Sequence, residues 1–225
     1  MYNPIIVALD LESAEEARAI VRALGSSVSL YKVGLELYAA AGMEYVRELT
    51  GAGMEVFLDL KLYDIGETVK RAVRQIAKTG VRFLTIHTPV SVMNAAVEGR
   101  GDSSLQLLGV TVLTSFDRSD LADRGCSASI ADVVADRVRK AIGAGVDGVV
   151  CSPLEAAMVR RTAGPEAIIV TPGVRSAGAG HGDQKRVATP AEAIRDGANY
   201  LVIGRQITGA ADPAAEARRI LGEIK

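Results

Sequence analysis

Residues 55–68 read Glu-Val-Phe-Leu-Asp-Leu-Lys-Leu-Tyr-Asp-Ile-Gly-Glu-Thr, a stretch that starts apolar and ends in charge. Val56, Phe57 and Leu58 form a β-inclined run of the kind found in a buried strand. Asp59, Lys61 and Asp64 then follow within six residues. Asp59 and Lys61 are two apart, so an extended chain sends both side chains to one side of the sheet. If Val56 and Phe57 are core, that side is not ordinary wetted surface along its whole length. Unpaired buried ions are costly, so charges at the end of a buried strand mark either a site or a paired network. Asp64 falls where the chain turns into a helix expected over residues 65–78, at a position suited to capping its positive end. Two readings stand at this point: a surface ion pair with a helix cap, or a functional cluster.

The rest of the chain decides between them. Its 225 residues, 48% hydrophobic and 24% charged, suit a soluble globular protein with a substantial core. A net charge of −1 without a basic run gives no reason to expect nucleic acid as a partner. Aromatic residues are 4% of the chain and Trp is absent, which argues against a base-stacking surface. No apolar stretch approaches the length of a membrane span, and Met1 leads into a strand-like run rather than a signal peptide. Cys126 and Cys151 make no CxxC spacing, and with only His87 and His181 beside them no zinc site is expected. A reducing cytoplasm is the expected compartment.

Strand-like runs recur with helices between them. They cover residues 4–9, 28–33, 56–58, 81–86, 105–113, 148–151, 167–170 and 200–203. The first helix, over 14–24, opens with Ser13 and Glu16 in capping-box spacing, and further helices are expected near 35–50, 90–97, 130–144, 154–162, 190–196 and 213–224. Residues 116–128 read as a polar loop. Apolar strands interleaved with helices imply a parallel sheet covered on its outer face. Eight such units in this length fit one α/β domain over residues 1–225, a (β/α)8 TIM barrel, better than an open sheet. Active sites of such barrels lie at the C-terminal ends of the strands. Asp10, Lys32, Asp59, Lys61, Thr114, Arg175 and Arg205 all fall at or just past those ends, which favours the functional reading.

The seventh and eighth strands end in paired glycine and arginine: Pro172-Gly173-Val174-Arg175 and Ile203-Gly204-Arg205. Glycine lets backbone N–H groups approach an anion, arginine offers a planar charged fork, and barrels commonly hold phosphate here. Residues 175–186, rich in Gly and Ala, read as a lid over that anion. The GAGHG inside it follows no strand and opens no helix, so it is not a dinucleotide fingerprint. His87 reads as a packed, hydrogen-bonded histidine, Cys151 as a small buried apolar residue, and Cys126 as a thiol without a neighbouring base.

Taken together, VALD (Val7–Asp10), YKVG (Tyr31–Gly34), FLDLKLYDI (Phe57–Ile65), VLTS (Val112–Ser115), TPGVR (Thr171–Arg175) and IGR (Ile203–Arg205) resemble the orotidine 5′-monophosphate decarboxylase family nearly end to end. The DxKxxD core alone is shared with a wider set of sugar-phosphate decarboxylases and aldolases. Those relatives tend to carry a metal-binding glutamate where this chain has Lys32, so the resemblance implies a metal-free, cofactor-free decarboxylase. It further implies that Lys61 protonates the pyrimidine C6 and that Asp59 lies against the departing carboxylate, in a Lys32–Asp59–Lys61–Asp64 array. Asp10 and Lys32 would meet the ribose, and Thr114 or Ser115 the pyrimidine edge. Pro172, Arg175, Gln184, Gly204 and Arg205 would surround the phosphate. Asp64, Ile65 and Thr68 would reach into a neighbouring subunit's site, which implies a homodimer.

That chemistry suits the residues. Loss of CO₂ leaves a carbanion with no electron sink in the ring plane, and a fixed ammonium can stabilise it and then protonate it. Three competitors remain: a metal-dependent sugar-phosphate lyase, a phosphate-handling isomerase that needs a base not found here, and a non-catalytic phosphate-ligand sensor.

Overall fold

The protein is described by a computed structural model covering residues 3–177 and 187–224. Among these residues eight parallel strands close a barrel in chain order, each paired with its sequence neighbours and the eighth with the first. The strands are β1 (Ile5–Ala8), β2 (Leu30–Gly34), β3 (Glu55–Leu62), β4 (Phe83–His87), β5 (Gln106–Val110), β6 (Gly148–Val150), β7 (Ile168–Thr171) and β8 (Tyr200–Ile203). The expected (β/α)8 barrel is therefore present.

Around it run α1 (Ala14–Leu24), α2 (Leu35–Gly51), α3 (Gly66–Ile76), α4 (Val90–Arg100), α5 (Arg118–Ala122) and α6 (Ile130–Gly143). They are followed by α7 (Ala156–Ala163), α8 (Pro190–Arg195), α9 (Arg205–Thr208) and α10 (Pro213–Glu223). Local chemistry explains where several begin. The Ser13 hydroxyl accepts from the Glu16 N–H at the head of α1, the half of a capping box that satisfies a helix donor. Thr189 and Glu192 make a reciprocal box at α8, with Pro190 at the first helical position.

Alternation along the strands separates two cores. Ile5, Val7, Tyr31, Val33, Val56, Leu58, Leu84 and Ile86 face the helices, while Ile6, Leu30, Phe57, Phe83, Leu108 and Val170 fill the barrel. Phe57 and Phe83 meet edge to face inside it, with centroids 6.2 Å apart. At the N-terminal end Arg82 closes the interior, its Nη1 donating to both Glu55 carboxylate oxygens at 2.8 and 2.9 Å and its Nη2 to the Tyr200 hydroxyl.

Three expectations need correction. β5 stops at Val110 rather than Leu113, because the chain leaves the ladder into the residues that border the barrel mouth. The segment expected as loop over 116–128 contains α5, which Asp117 and Asp120 cap reciprocally. Asp64 is not the cap of α3: Ile65 holds that position without a side-chain bond, and the Asp64 carboxylate accepts from the Ile65 N–H at 2.6 Å.

Candidate active site

The alternation that fills the barrel also builds the site. Leu30, Phe57 and Phe83 belong to the apolar plug, and two residues further along the same strands stand Lys32, Asp59 and Thr85. The layer above the plug is therefore polar, at the C-terminal end where this fold places chemistry.

Its charges alternate. The Lys32 ammonium donates to Asp10 Oδ1 at 2.6 Å and stands 3.9 Å from Asp59 Oδ2. The Lys61 ammonium donates to the same Asp59 Oδ2 at 2.9 Å. The side chains of Lys32 and Asp59 are only 9% and 14% exposed, so the pairing decides whether these ions can be accommodated. Gly34 makes room for them. A Cβ there would lie 2.7 Å from both Asp10 Oδ1 and the Lys32 ammonium, so any side chain would split the pair.

Lys61 does not reach this layer by simple alternation. β3 pairs with β4 through Leu58↔Leu84 and next through Leu62↔Ile86, so β3 carries two extra residues in a bulge. Within the bulge Lys61 has φ 48°, the one left-handed non-glycine residue among those described. The bulge re-aims its ammonium onto Asp59. Its freed N–H donates to the Thr85 hydroxyl oxygen at 2.9 Å, and that hydroxyl donates to Asp59 Oδ1 at 2.9 Å.

A cavity of about 610 Å³ opens above the layer. Asp10, Lys32, Asp59 and Lys61 line it from the first three strands. Pro172, Gly173, Arg175, Gly204 and Arg205 line it from the segments after β7 and β8, so both glycine–arginine pairs face the same space as the charge array. Gly173 between them has φ 78°, which a side chain would strain. Thr114 and Ser115, past the end of β5, line the cavity as well.

Beside the two glycine–arginine segments lies a network that the sequence did not reveal. Gln206 donates to the Ser176 hydroxyl at 2.7 Å and to Glu216 at 2.9 Å, and Arg219 donates to Ser176 at 3.0 Å. Arg219 holds the Glu216 carboxyl down at about 2. Segments next to Arg175 and Arg205 are thus tied to α10. A further bridge, Val174 to Ala188, joins the two sides of the expected lid. Gln184 and the greater part of that lid lie outside the described residues.

Asp64, Ile65 and Thr68 are exposed and do not line the cavity of their own chain. Thr85 and Gly34 were missed by sequence reasoning. Two-residue spacing from Phe83 could have found Thr85, but a threonine in a strand carries no alarm of its own.

His87 is half-buried and packs its ring on Tyr63 at 5.4 Å, so packing is as expected, but among the described residues the ring makes no hydrogen bond. Burial, aided by Arg137, Lys61 and Arg124, lowers its pKa below the ordinary 6.5. The unfolded chain then binds a proton that the folded one refuses. Stability should fall as pH drops below about 6.5 toward the depressed folded value. His87→Gln should flatten this part of a plot of urea midpoint against pH, and an unchanged slope would show that other groups set it. Cys151 is buried and Cys126 half-buried, and both are free thiols.

Known proteins share both the sequence and the fold of this chain. Residues 3–220 match the family model described as Orotidine 5′-phosphate decarboxylase / HUMPS family. A protein named Orotidine 5′-phosphate decarboxylase from Rhodopseudomonas palustris (strain BisB5) is 52% identical over 98% of this chain and 94% of its own length. One of the same name from Caulobacter sp. (strain K31) is also 52% identical, over 98% of this chain and 96% of its own. Among solved structures, that of Orotidine 5′-phosphate decarboxylase from Lactobacillus acidophilus superposes with a TM-score of 0.88 at 36% identity, covering 99% of both chains.

Proposed function

The chain belongs to the Orotidine 5′-phosphate decarboxylase / HUMPS family, and from that premise we propose how its site carries out the reaction. The activity is decarboxylation of orotidine 5′-monophosphate to uridine 5′-monophosphate in pyrimidine biosynthesis. The observation that carries the mechanism is Asp59 Oδ2 held by the Lys61 ammonium at 2.9 Å, with the Lys32 ammonium 3.9 Å away, in a cavity that Arg175 and Arg205 also line.

Substrate binds with its phosphate at Arg175, Gly204 and Arg205, with Gln184 as a further ligand, and with Pro172 beside them. Asp10 and Lys32 take the ribose hydroxyls, and Thr114 or Ser115 reads the pyrimidine edge. The substrate carboxylate then faces Asp59, and C6 faces the Lys61 ammonium. The C6–carboxyl bond breaks heterolytically, CO₂ leaves, and the electron pair stays on C6 in the ring plane. Lys61 stabilises that charge as it develops, because an ammonium already fixed in place needs little reorganisation. It then delivers one proton to C6 and regains one from solvent. Repulsion between Asp59 and the substrate carboxylate adds to the drive.

The second half of the proposal is a homodimer. Ile65 is 76% exposed, Tyr63 69% and Val90 46%, all where β3 and β4 pass into their helices. Large apolar side chains grouped at the edge of a site fit burial against a second copy. Asp64 and Thr68 of one chain would then complete the site of the other. Two free thiols suit a reducing cytoplasm. No helix among the described residues is long and apolar enough to cross a membrane.

Turnover should not need a metal. Asp10 and Asp59 are already engaged by Lys32, so a divalent cation between them would have to displace an ammonium. Activity on orotidine 5′-monophosphate should therefore survive exhaustive treatment with EDTA. Loss on chelation, restored by Mg²⁺, would move the site to metal-dependent chemistry.

A further inference from the structure

We propose that Thr85 is a positioning residue for the decarboxylation, setting the geometry of Asp59 and Lys61 through a single hydroxyl. The inference rests on the reading of Lys61 as proton donor. Thr85 is fully buried on β4, directly opposite the bulge of β3. Its oxygen accepts the Lys61 N–H at 2.9 Å and its proton goes to Asp59 Oδ1 at 2.9 Å.

Both bonds are needed where they are. A regular strand would give the Lys61 N–H to a carbonyl of the neighbouring strand, but the bulge removes it from the ladder. A backbone donor inside a protein requires another acceptor, and Thr85 supplies it. That bond holds Lys61 at φ 48°, a conformation an L-residue keeps only when its surroundings impose it. The second bond fixes the rotation of the Asp59 carboxylate. With Oδ1 held by Thr85, Oδ2 is the oxygen turned to the ammonium of Lys61 and toward that of Lys32. One hydroxyl thus sets the direction of the carboxylate and the backbone from which the proton donor springs. Thr85 touches no substrate in this account; it acts through its two neighbours.

A hydroxyl of this kind contributes to the chemical step rather than to ligand binding. The test compares Thr85→Val, which keeps the shape, with Thr85→Ser, which keeps the hydroxyl, and uses Lys61→Ala as a control. Thr85→Val should lower kcat roughly tenfold to a hundredfold, the loss expected when a buried donor and a carboxylate each lose a partner. Its affinity for uridine 5′-monophosphate should stay within about threefold of the parent, since binding of product does not load the C6 geometry. Thr85→Ser should restore most of kcat. If valine prevents folding, Thr85→Ala removes the same hydroxyl without adding bulk and carries the comparison.

A Thr85→Val enzyme within about twofold of the parent in kcat overturns the proposal. So does a serine variant as slow as the valine one, which would assign the loss to the methyl group. So does a fall in product affinity matching the fall in kcat. The control separates the two readings. An active Lys61→Ala enzyme removes the proton-donor assignment itself, whereas an inactive one beside a fast Thr85→Val enzyme removes only the role of Thr85.

Discussion

Lys61→Ala and Asp64→Ala, each nearly inactive alone, are expected to regain activity when mixed. Lys61 is assigned two tasks, stabilising the carbanion and protonating it. A positioned acid contributes about 10²–10⁴-fold and a preorganised charge about 10²–10³-fold, so Lys61→Ala should lower kcat by at least roughly 10⁴-fold. The same substitution takes from Asp59, 14% exposed, its closest cation. Asp64 is a different case. In its own chain its carboxylate lies outside the cavity and turns back onto the Ile65 N–H. If it works, it works in the neighbour.

The mixing experiment follows from two-fold symmetry. In a hybrid dimer, one site combines the missing lysine with the missing partner carboxylate, and the other site has both groups intact. Random exchange makes half of the dimers hybrid, so recovery should approach about a quarter of the parent activity per site. The measurement is initial rate before and after exchange, with exchange itself followed by a mass tag on one variant. No recovery after demonstrated exchange would confine Asp64 to its own chain. Full activity of Asp64→Ala alone would remove it from the mechanism.

Much of this was legible in the chain because buried ions are conspicuous against apolar strands. Lys32 and Asp59 interrupt runs that otherwise read as core, and the barrel collects the ends of all such runs at one face. The two barrel cores were not legible, because strands apolar on both faces do not show that Leu30 and Phe57 turn inward while Tyr31 and Leu58 turn to the helices. The bulge was not legible. A lysine with φ 48° looks in sequence like any strand residue, and its placement comes from pairing across β4 that only the fold reveals. Thr85 was hidden for the same reason, being a residue that strands favour anyway. Asp64 misled in the opposite direction. Its spacing suits a cap, yet the turn leaves Ile65 in that position. The Ser176–Gln206–Glu216–Arg219 network joins residues up to 43 positions apart, too far for any local pattern.

Arg205→Ala is expected to lower kcat/KM by roughly tenfold to a hundredfold on orotidine 5′-monophosphate and to do little on orotidine. A charge-assisted contact contributes roughly 1.5–3 kcal/mol, more when the partner charge is left unpaired, and about 1.4 kcal/mol is a factor of ten. The contact is remote from C6. Arg205 is assigned to the phosphate rather than to the reacting carbon, so its energy accelerates the reaction only if it helps assemble the reacting end. The fold offers a path for that. Gln206, next in sequence, is bonded to Ser176, which follows Arg175, so both arginines move with one scaffold. A phosphate gripped by the pair orders that scaffold around the substrate. Orotidine carries no phosphate, so on it the parent enzyme should already be slow and the substitution should add little. The measurement is kcat/KM for parent and variant on both substrates. Equal proportional losses on the two would show that Arg205 supports the barrel rather than the phosphate. A loss confined to the phosphorylated substrate but appearing wholly in KM would keep the contact and remove its part in assembling the reacting end.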